Sequence, residues 1–157
     1  MKYKGTLIAV KDIEKAKRFY HDVLGLDVVD DFGANVVLQE GIFLQTADTW
    51  TTFIRKPEKE IVYANNASEL YFETDDMEGF IGKLTKFNDI LYLHPPLEHS
   101  WGQRAVRFYD QDGHIIEVGE NLVMVVKRFV ESGLTIEETA RRMDVDINYI
   151  HSCLEQQ

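Results

Sequence analysis

The sequence predicts an α+β fold made of one βαβββ unit used twice, followed by a helical segment, and three observations carry this expectation. First, Thr6 to Val10 and Leu70 to Thr74 each read as a strand that runs straight into an acidic helix start, at Asp12 and at Asp75-Asp76. Second, the Asp112-Gly113 turn between apolar runs is echoed by Glu40-Gly41, and aligning the two places Gln45 opposite Glu117. Third, beyond Asn121 the apolar residues switch to helical spacing.

Taken in order, the first module (about 1–47) has strands near 5–10, 27–31, 35–39 and 42–46, with a helix near 13–23 closed by Gly25. Residues 47–67 show no clear periodicity and read as a linker and a loop over the sheet. The second module (about 68–120) repeats the order, with strands near 69–74, 90–94, 103–109 and 114–118 and a helix near 77–86. These modules define a domain over 1–121. In the 122–157 segment Leu122, Val123, Val126, Phe129 and Val130 recur at helical spacing, and three helices are expected. Leu134 to Leu154 resembles a helix-turn-helix, with Ala140 and Val145 at its packing positions.

Period-two alternation assigns faces. Thr6, Ile8 and Val10, like Leu70, Phe72 and Thr74, should pack under the helices, leaving Gly5, Leu7, Ala9, Glu69, Tyr71 and Glu73 on the opposite sheet face. In the strand near 103–109 either face is acceptable, but apolar content favours Arg107 on the ligand side, with Val106 and Phe108 serving the core. His114, just after the turn glycine, is placed at a strand start on the surface.

Composition bounds the function. With 157 residues, 45% hydrophobic and 11% aromatic, the chain can bury a core. The single Cys153 allows no intrachain disulfide and reads as a packing residue. No apolar run reaches the roughly 18 residues of a membrane span, and no signal peptide is visible, so a cytoplasmic protein is expected. A net charge of −10 repels phosphate backbones. The expected last helix, Ile147 to Glu155, has no Lys or Arg, which argues against nucleic acid as a partner. No glycine-rich phosphate loop precedes a helix.

Ligand chemistry concentrates in Leu93 to Arg104, read as a loop at the mouth of the second module, with His94, His99, Trp101 and Arg104. Trp101 suits an apolar or aromatic ligand, His99 a proton exchange, and Arg104 or Arg107 a bidentate carboxylate. Phe43 and Tyr71 complete the set of expected contacts. Glu117, a carboxylate among apolar neighbours, needs a partner or a task; pairing with Arg104 or Arg107 is the plainest way to hold it.

The order and spacing of Val10-Lys11-Asp12-Ile13-Glu14-Lys15-Ala16 with Phe19-Tyr20, then Val23-Leu24-Gly25-Leu26, then Asp110-Gln111-Asp112-Gly113-His114-Ile115-Ile116-Glu117, resemble the glyoxalase, bleomycin-resistance and extradiol-dioxygenase proteins, the vicinal oxygen chelate superfamily. The resemblance covers about residues 1–120 and is more specific for fold than for reaction. It implies that the two modules form a curved mixed-sheet cup that binds a small molecule, in a homodimer. It also implies a divalent metal held from four places, which fall on Gly5, Gln45, Glu69 and Glu117. Gly5 offers no ligand and Glu69 stands where histidine is usual, so the set reduces to Glu117, Glu69 and Gln45, suited to a weakly bound hard ion such as Mg²⁺ or Mn²⁺, or to none.

Two functions follow, with enzyme status open between them. In the first, the cup binds a small aromatic or carboxylate-bearing molecule without a tightly bound metal. In the second, a metal-dependent lyase or isomerase of the lactoylglutathione lyase type uses Glu117 as ligand and Glu69 as ligand or base, both then being catalytic. A further alternative is a ligand-responsive regulator that uses the C-terminal helices.

Overall fold

Capping and alternation turn the duplicated pattern into two four-stranded mixed sheets, as a computed structural model describing residues 1–156 shows. Gln157, the last position of the 122–157 segment, lies outside the described residues. The chain divides into two compact units, residues 1–68 with 109–114, and residues 69–108 with those from 115 onward.

In the first unit the order is β1 (Thr6–Val10), α1 (Ile13–Leu24), β2 (Val28–Asp31), β3 (Asn35–Leu38), β4 (Ile42–Thr46) and α2 (Ala47–Ile54). The sheet runs β1-β4-β3-β2, with β1 parallel to β4 and β3 antiparallel to both its neighbours. Helix α1 starts where the Asp12 side chain accepts from the Lys15 amide and stops at Gly25, whose φ of 75° suits a residue without Cβ. Its apolar stripe, Ala16, Tyr20 and Val23, is buried.

In the second unit the order is β5 (Glu69–Thr74), α3 (Met77–Leu84), β6 (Leu91–Glu98), β7 (Arg104–Tyr109) and β8 (Ile115–Glu120), then α4 (Leu122–Glu131), α5 (Ile136–Met143) and α6 (Ile147–Glu155). The sheet repeats the first topology, β5-β8-β7-β6, with β5 parallel to β8. Val125, Val126, Phe129, Ala140, Met143, Ile150 and Cys153 form one buried cluster among the last three helices, which puts Cys153 in a packing role. Helix α5 opens on a reciprocal capping box between Thr135 and Glu138.

Three expectations are corrected. Residues 47–54, read as linker, form α2: Ala47, Trp50, Phe53 and Ile54 keep helical spacing, but over too few residues to stand out. Leu93 to Glu98, read as loop, belongs to β6, which carries Pro95 and Pro96 because it is the sheet's edge and needs no N–H on its outer side. His114, expected on the surface, is only partly exposed, its side chain 22% accessible and bonded to buried Asp110.

That aspartate organises the β7–β8 hairpin. Its carboxylate accepts from the backbone N–H of Asp112 and of His114, both at 2.9 Å, from His114 Nδ1 at 2.8 Å and from the Tyr20 hydroxyl at 3.0 Å. Burial alone would raise the Asp110 carboxyl, yet the bonds from His114 and Tyr20 outweigh it and hold the group below its ordinary 3.8. Because the folded value is depressed, the stability it contributes is present above the unfolded value and is lost as pH falls below it. Two outcomes follow. Tyr20→Phe should lower the unfolding free energy by about 1–3 kcal/mol in urea titrations, the cost of one missing donor to a buried charge. Between about pH 4 and pH 2 the wild type should lose stability more steeply than Asp110→Asn, and parallel curves would remove the linkage.

Candidate functional site

The parallel register of β5 and β8 sets Leu70 opposite Ile116, Tyr71 opposite Glu117 and Thr74 opposite Glu120. Leu70, Phe72 and Thr74 are half-buried while Glu69, Tyr71 and Glu73 are exposed, so the face that β5 leaves open carries Tyr71 and, itself buried, Glu117. On β7, Val106 and Phe108 are fully buried, which turns Arg107 to that same open face, as apolar content predicted.

Arg107 joins the acids there. Its Nε donates to Glu69 Oε2 at 3.0 Å, its Nη2 pairs with Glu117 Oε2, and its Nη1 stands 3.5 Å from His94 Nε2. Glu117 has a side chain only 6% exposed. Its carboxyl is raised above the ordinary value, first by burial and then by the neighbouring Glu69, with Arg107 pulling the other way.

Arg104, expected as a ligand contact, lies on the other sheet face. Its Nε and Nη2 donate to the two oxygens of buried Glu120 at 3.1 and 2.8 Å, and its Nη1 pairs with Glu78 on α3. Glu120 takes a second cation, Arg128 of α4, at 3.0 Å. Together the two guanidiniums outweigh burial and hold the Glu120 carboxyl below its usual range. The reason for the correction is parity, since residues three apart on a strand face opposite ways.

The aromatic side chains gather on the turn after β6. The His99 and Trp101 rings stack with centroids 4.2 Å apart and planes 6° from parallel. Trp101 Nε1 donates to Gln103 Oε1 at 3.2 Å, Gln103 Nε2 donates to the Tyr71 oxygen at 3.0 Å and to the Glu120 carbonyl at 2.9 Å, and the Tyr71 hydroxyl donates to Glu73 at 2.8 Å. Trp101 nevertheless keeps 38% of its surface exposed and Tyr71 50%. Burial and the bond to Glu73 push the Tyr71 hydroxyl up to about 12, so it stays protonated as the donor of this chain. His99 Nε2 is buried without a hydrogen-bond partner. Burial, then Arg107 and His94, lower this imidazole, which keeps it neutral near pH 7. Gly102 holds the turn against α4: at φ 91°, an added Cβ would come 2.1 Å from the Phe129 ring. Reading by residue type missed Gln103, because an amide flanked by Gly102 and Arg104 has no signature of its own.

Phe43 and Gln45 belong to the first unit. Phe43 is half-buried on β4 opposite Leu7. Gln45 is buried and used at both ends: its Oε1 accepts from Asn35 Nδ2 at 2.8 Å and its Nε2 donates to Thr49 of α2. At Gly5, φ is 150° and a Cβ would lie 1.9 Å from the Gly41 carbonyl oxygen and 2.7 Å from Phe43, so no side chain fits there.

The implied metal set therefore does not fit these residues. Position 5 admits no ligand, the Gln45 amide is spent on Asn35 and Thr49, and both carboxylates are paired to Arg107. Among the described residues no group of three or more His, Cys, Asp or Glu is arranged to hold an ion. Among the same residues no helix is long and apolar enough to cross a membrane.

Comparison with known proteins bears on this geometry. The family described as glyoxalase-like domain matches residues 3–123. A protein of unknown function from Agrobacterium tumefaciens str. C58 is 34% identical, with a TM-score of 0.67 over 77% of this chain and 94% of that one. A glyoxalase/bleomycin resistance protein/dioxygenase family enzyme from Burkholderia phytofirmans PsJN shares the fold at 13% identity, with a TM-score of 0.65 over 74% of this chain and 96% of that one. A lactoylglutathione lyase from Agrobacterium tumefaciens does so at 22% identity, with a TM-score of 0.57 over 78% and 95%. No curated protein sequence matches.

The two arginines make separable predictions. Arg104→Met, which strips one cation from buried Glu120 while leaving Arg128, should cost about 1–3 kcal/mol in denaturant unfolding. It should leave the tryptophan fluorescence spectrum unchanged, since the Arg104 guanidinium bonds to Glu120 and Glu78 on the opposite face; a shifted spectrum would contradict the assignment of faces.

Proposed function

This chain belongs to the glyoxalase-like family, and on that premise we propose that it binds a small aromatic molecule on the open sheet face of its second unit, with Tyr71, His99, Trp101 and Arg107 as contacts. The observation that carries the reading is the His99–Trp101 stack, a flat platform with an exposed indole and a buried, unpartnered imidazole nitrogen beside it. A ring laid on Trp101 gains apolar contact, and His99 Nε2 is a polar handle for fixing its orientation.

The carboxylate part of the expectation is narrowed. Of the five N–H donors of Arg107, those on Nε and Nη2 engage Glu69 and Glu117, and the charge is already neutralised. What remains suits a neutral acceptor such as a carbonyl, amide or phenol oxygen better than an anion. Phe43 remains a candidate contact on the first unit, and we expect a cytoplasmic homodimer that works without a tightly held ion and without nucleic acid.

A second reading has one observation in its favour: Glu117 is a carboxyl raised above its ordinary value by burial and by Glu69, the direction a general acid or base requires. In it the protein is a glyoxalase-like lyase or isomerase, with Glu117 and Glu69 as its acid and base.

Titration of the intact protein with 1-naphthol and with 1-naphthoate, followed by tryptophan fluorescence, tests the first reading. Naphthol should quench, naphthoate should bind more weakly, and Trp101→Ala should weaken naphthol by about tenfold, the worth of roughly 1.4 kcal/mol. Equal binding by Trp101→Ala would sink it, with Trp50, the other tryptophan, serving as the residual reporter. The two readings separate on Glu117→Gln assayed with thiol adducts of α-oxo aldehydes. Turnover by the wild type that vanishes in the variant, with probe binding retained, favours the enzyme; no turnover by either favours the binder.

A further inference from the structure

The open face of the second unit carries two carboxylates on adjacent strands, Glu69 at the start of β5 and Glu117 in the middle of β8, and Glu117 is withdrawn from water. Two such groups repel, and the pair persists only with a cation, a proton or an ion between them. The structure supplies the cation from its own chain. Arg107 reaches Glu69 through Nε and Glu117 through Nη2, and turns Nη1 toward His94. A guanidinium does not lose its proton in proteins, and its planar fork fixes the directions of both carboxylates.

We propose that Arg107 is the resident cation of this site, occupying among Glu69, Glu117 and His94 the role that a divalent ion has in metal-dependent members of the family. It acts through the carboxylates and is a positioning residue. Within the first unit, position 5 has no room for a ligand and Gln45 is committed to Asn35 and Thr49.

The test uses chelator-treated full-length wild type, Arg107→Lys and Arg107→Met, melted across about pH 5 to pH 8, with Mn²⁺ titrated into the wild type and bound ion read by electron paramagnetic resonance. The wild type should show no bound Mn²⁺ and a melting temperature that moves by less than about 1 °C on adding the ion. In Arg107→Met buried Glu117 loses its cation and holds its proton more tightly when folded, so the melting temperature should fall more steeply than wild type as pH rises. Arg107→Lys should recover much of the wild-type slope, which a packing role alone would not do. Stoichiometric Mn²⁺ uptake by the wild type that Glu117→Gln abolishes would overturn the proposal, as would a wild-type pH slope in Arg107→Met. If Arg107→Met folds at no pH, the Arg107→Lys slope and the wild-type Mn²⁺ titration decide alone. No organic ligand enters the experiment, so a failed aromatic reading leaves this one standing, and the reverse holds.

Discussion

The strict two-residue alternation of an extended strand is the constraint on which the second unit depends. On β7 two arginines stand three apart, at 104 and 107, and on β8 two glutamates stand three apart, at 117 and 120. An odd spacing sends each pair of like residues to opposite faces, so the sheet builds two ion-paired centres instead of one crowded cluster. On one face Arg104 and Glu120 join α3 and α4 to the sheet through Glu78 and Arg128. On the other, Arg107 holds Glu117 and Glu69 together. The same four charges in an even spacing would have placed all of them in one environment, and either the helical packing or the open site would have gone without.

The two centres differ in how completely their charge is answered. Glu120 faces two guanidiniums and its carboxyl is held low, as in a structural joint. Glu117 shares one guanidinium with another acid and its carboxyl is held high. Strands of one sheet, drawing on the same two residue types, thus shift two carboxyls in opposite directions. The difference lies in how many cations each buried carboxylate meets, two at Glu120 against one at Glu117 that is shared with Glu69.

Much of the fold was legible because it rests on short-range signals. Asp12 and Gly25 mark the ends of α1, Thr135 and Glu138 mark the start of α5, and β3 and β5 alternate strictly. Residues that depend on long-range neighbours were less legible. Arg107 was placed correctly because Val106 and Phe108 reveal the buried face, while the ligand role given to Arg104 ignored what that same parity implied for it. Helix α2 was lost because eight residues give too little periodicity, and with it went Thr49, the group that occupies Gln45. Gln103 and the pairing of His99 with Trp101 are tertiary facts: a chain turning at Gly102 against Phe129 brings them together, and nothing in their order along the sequence announces it.

Gly5 has a consequence for any attempt to convert this protein into a metal enzyme. A histidine written into that position would have to push aside the Gly41 carbonyl, itself fixed by a glycine at φ 73°, and the Phe43 ring behind it. The change is therefore not one substitution but the rebuilding of a turn and a strand residue together. The sequence sits in a valley with respect to that activity: every single step toward an imidazole ligand at residue 5 is downhill in stability before it can be uphill in chemistry.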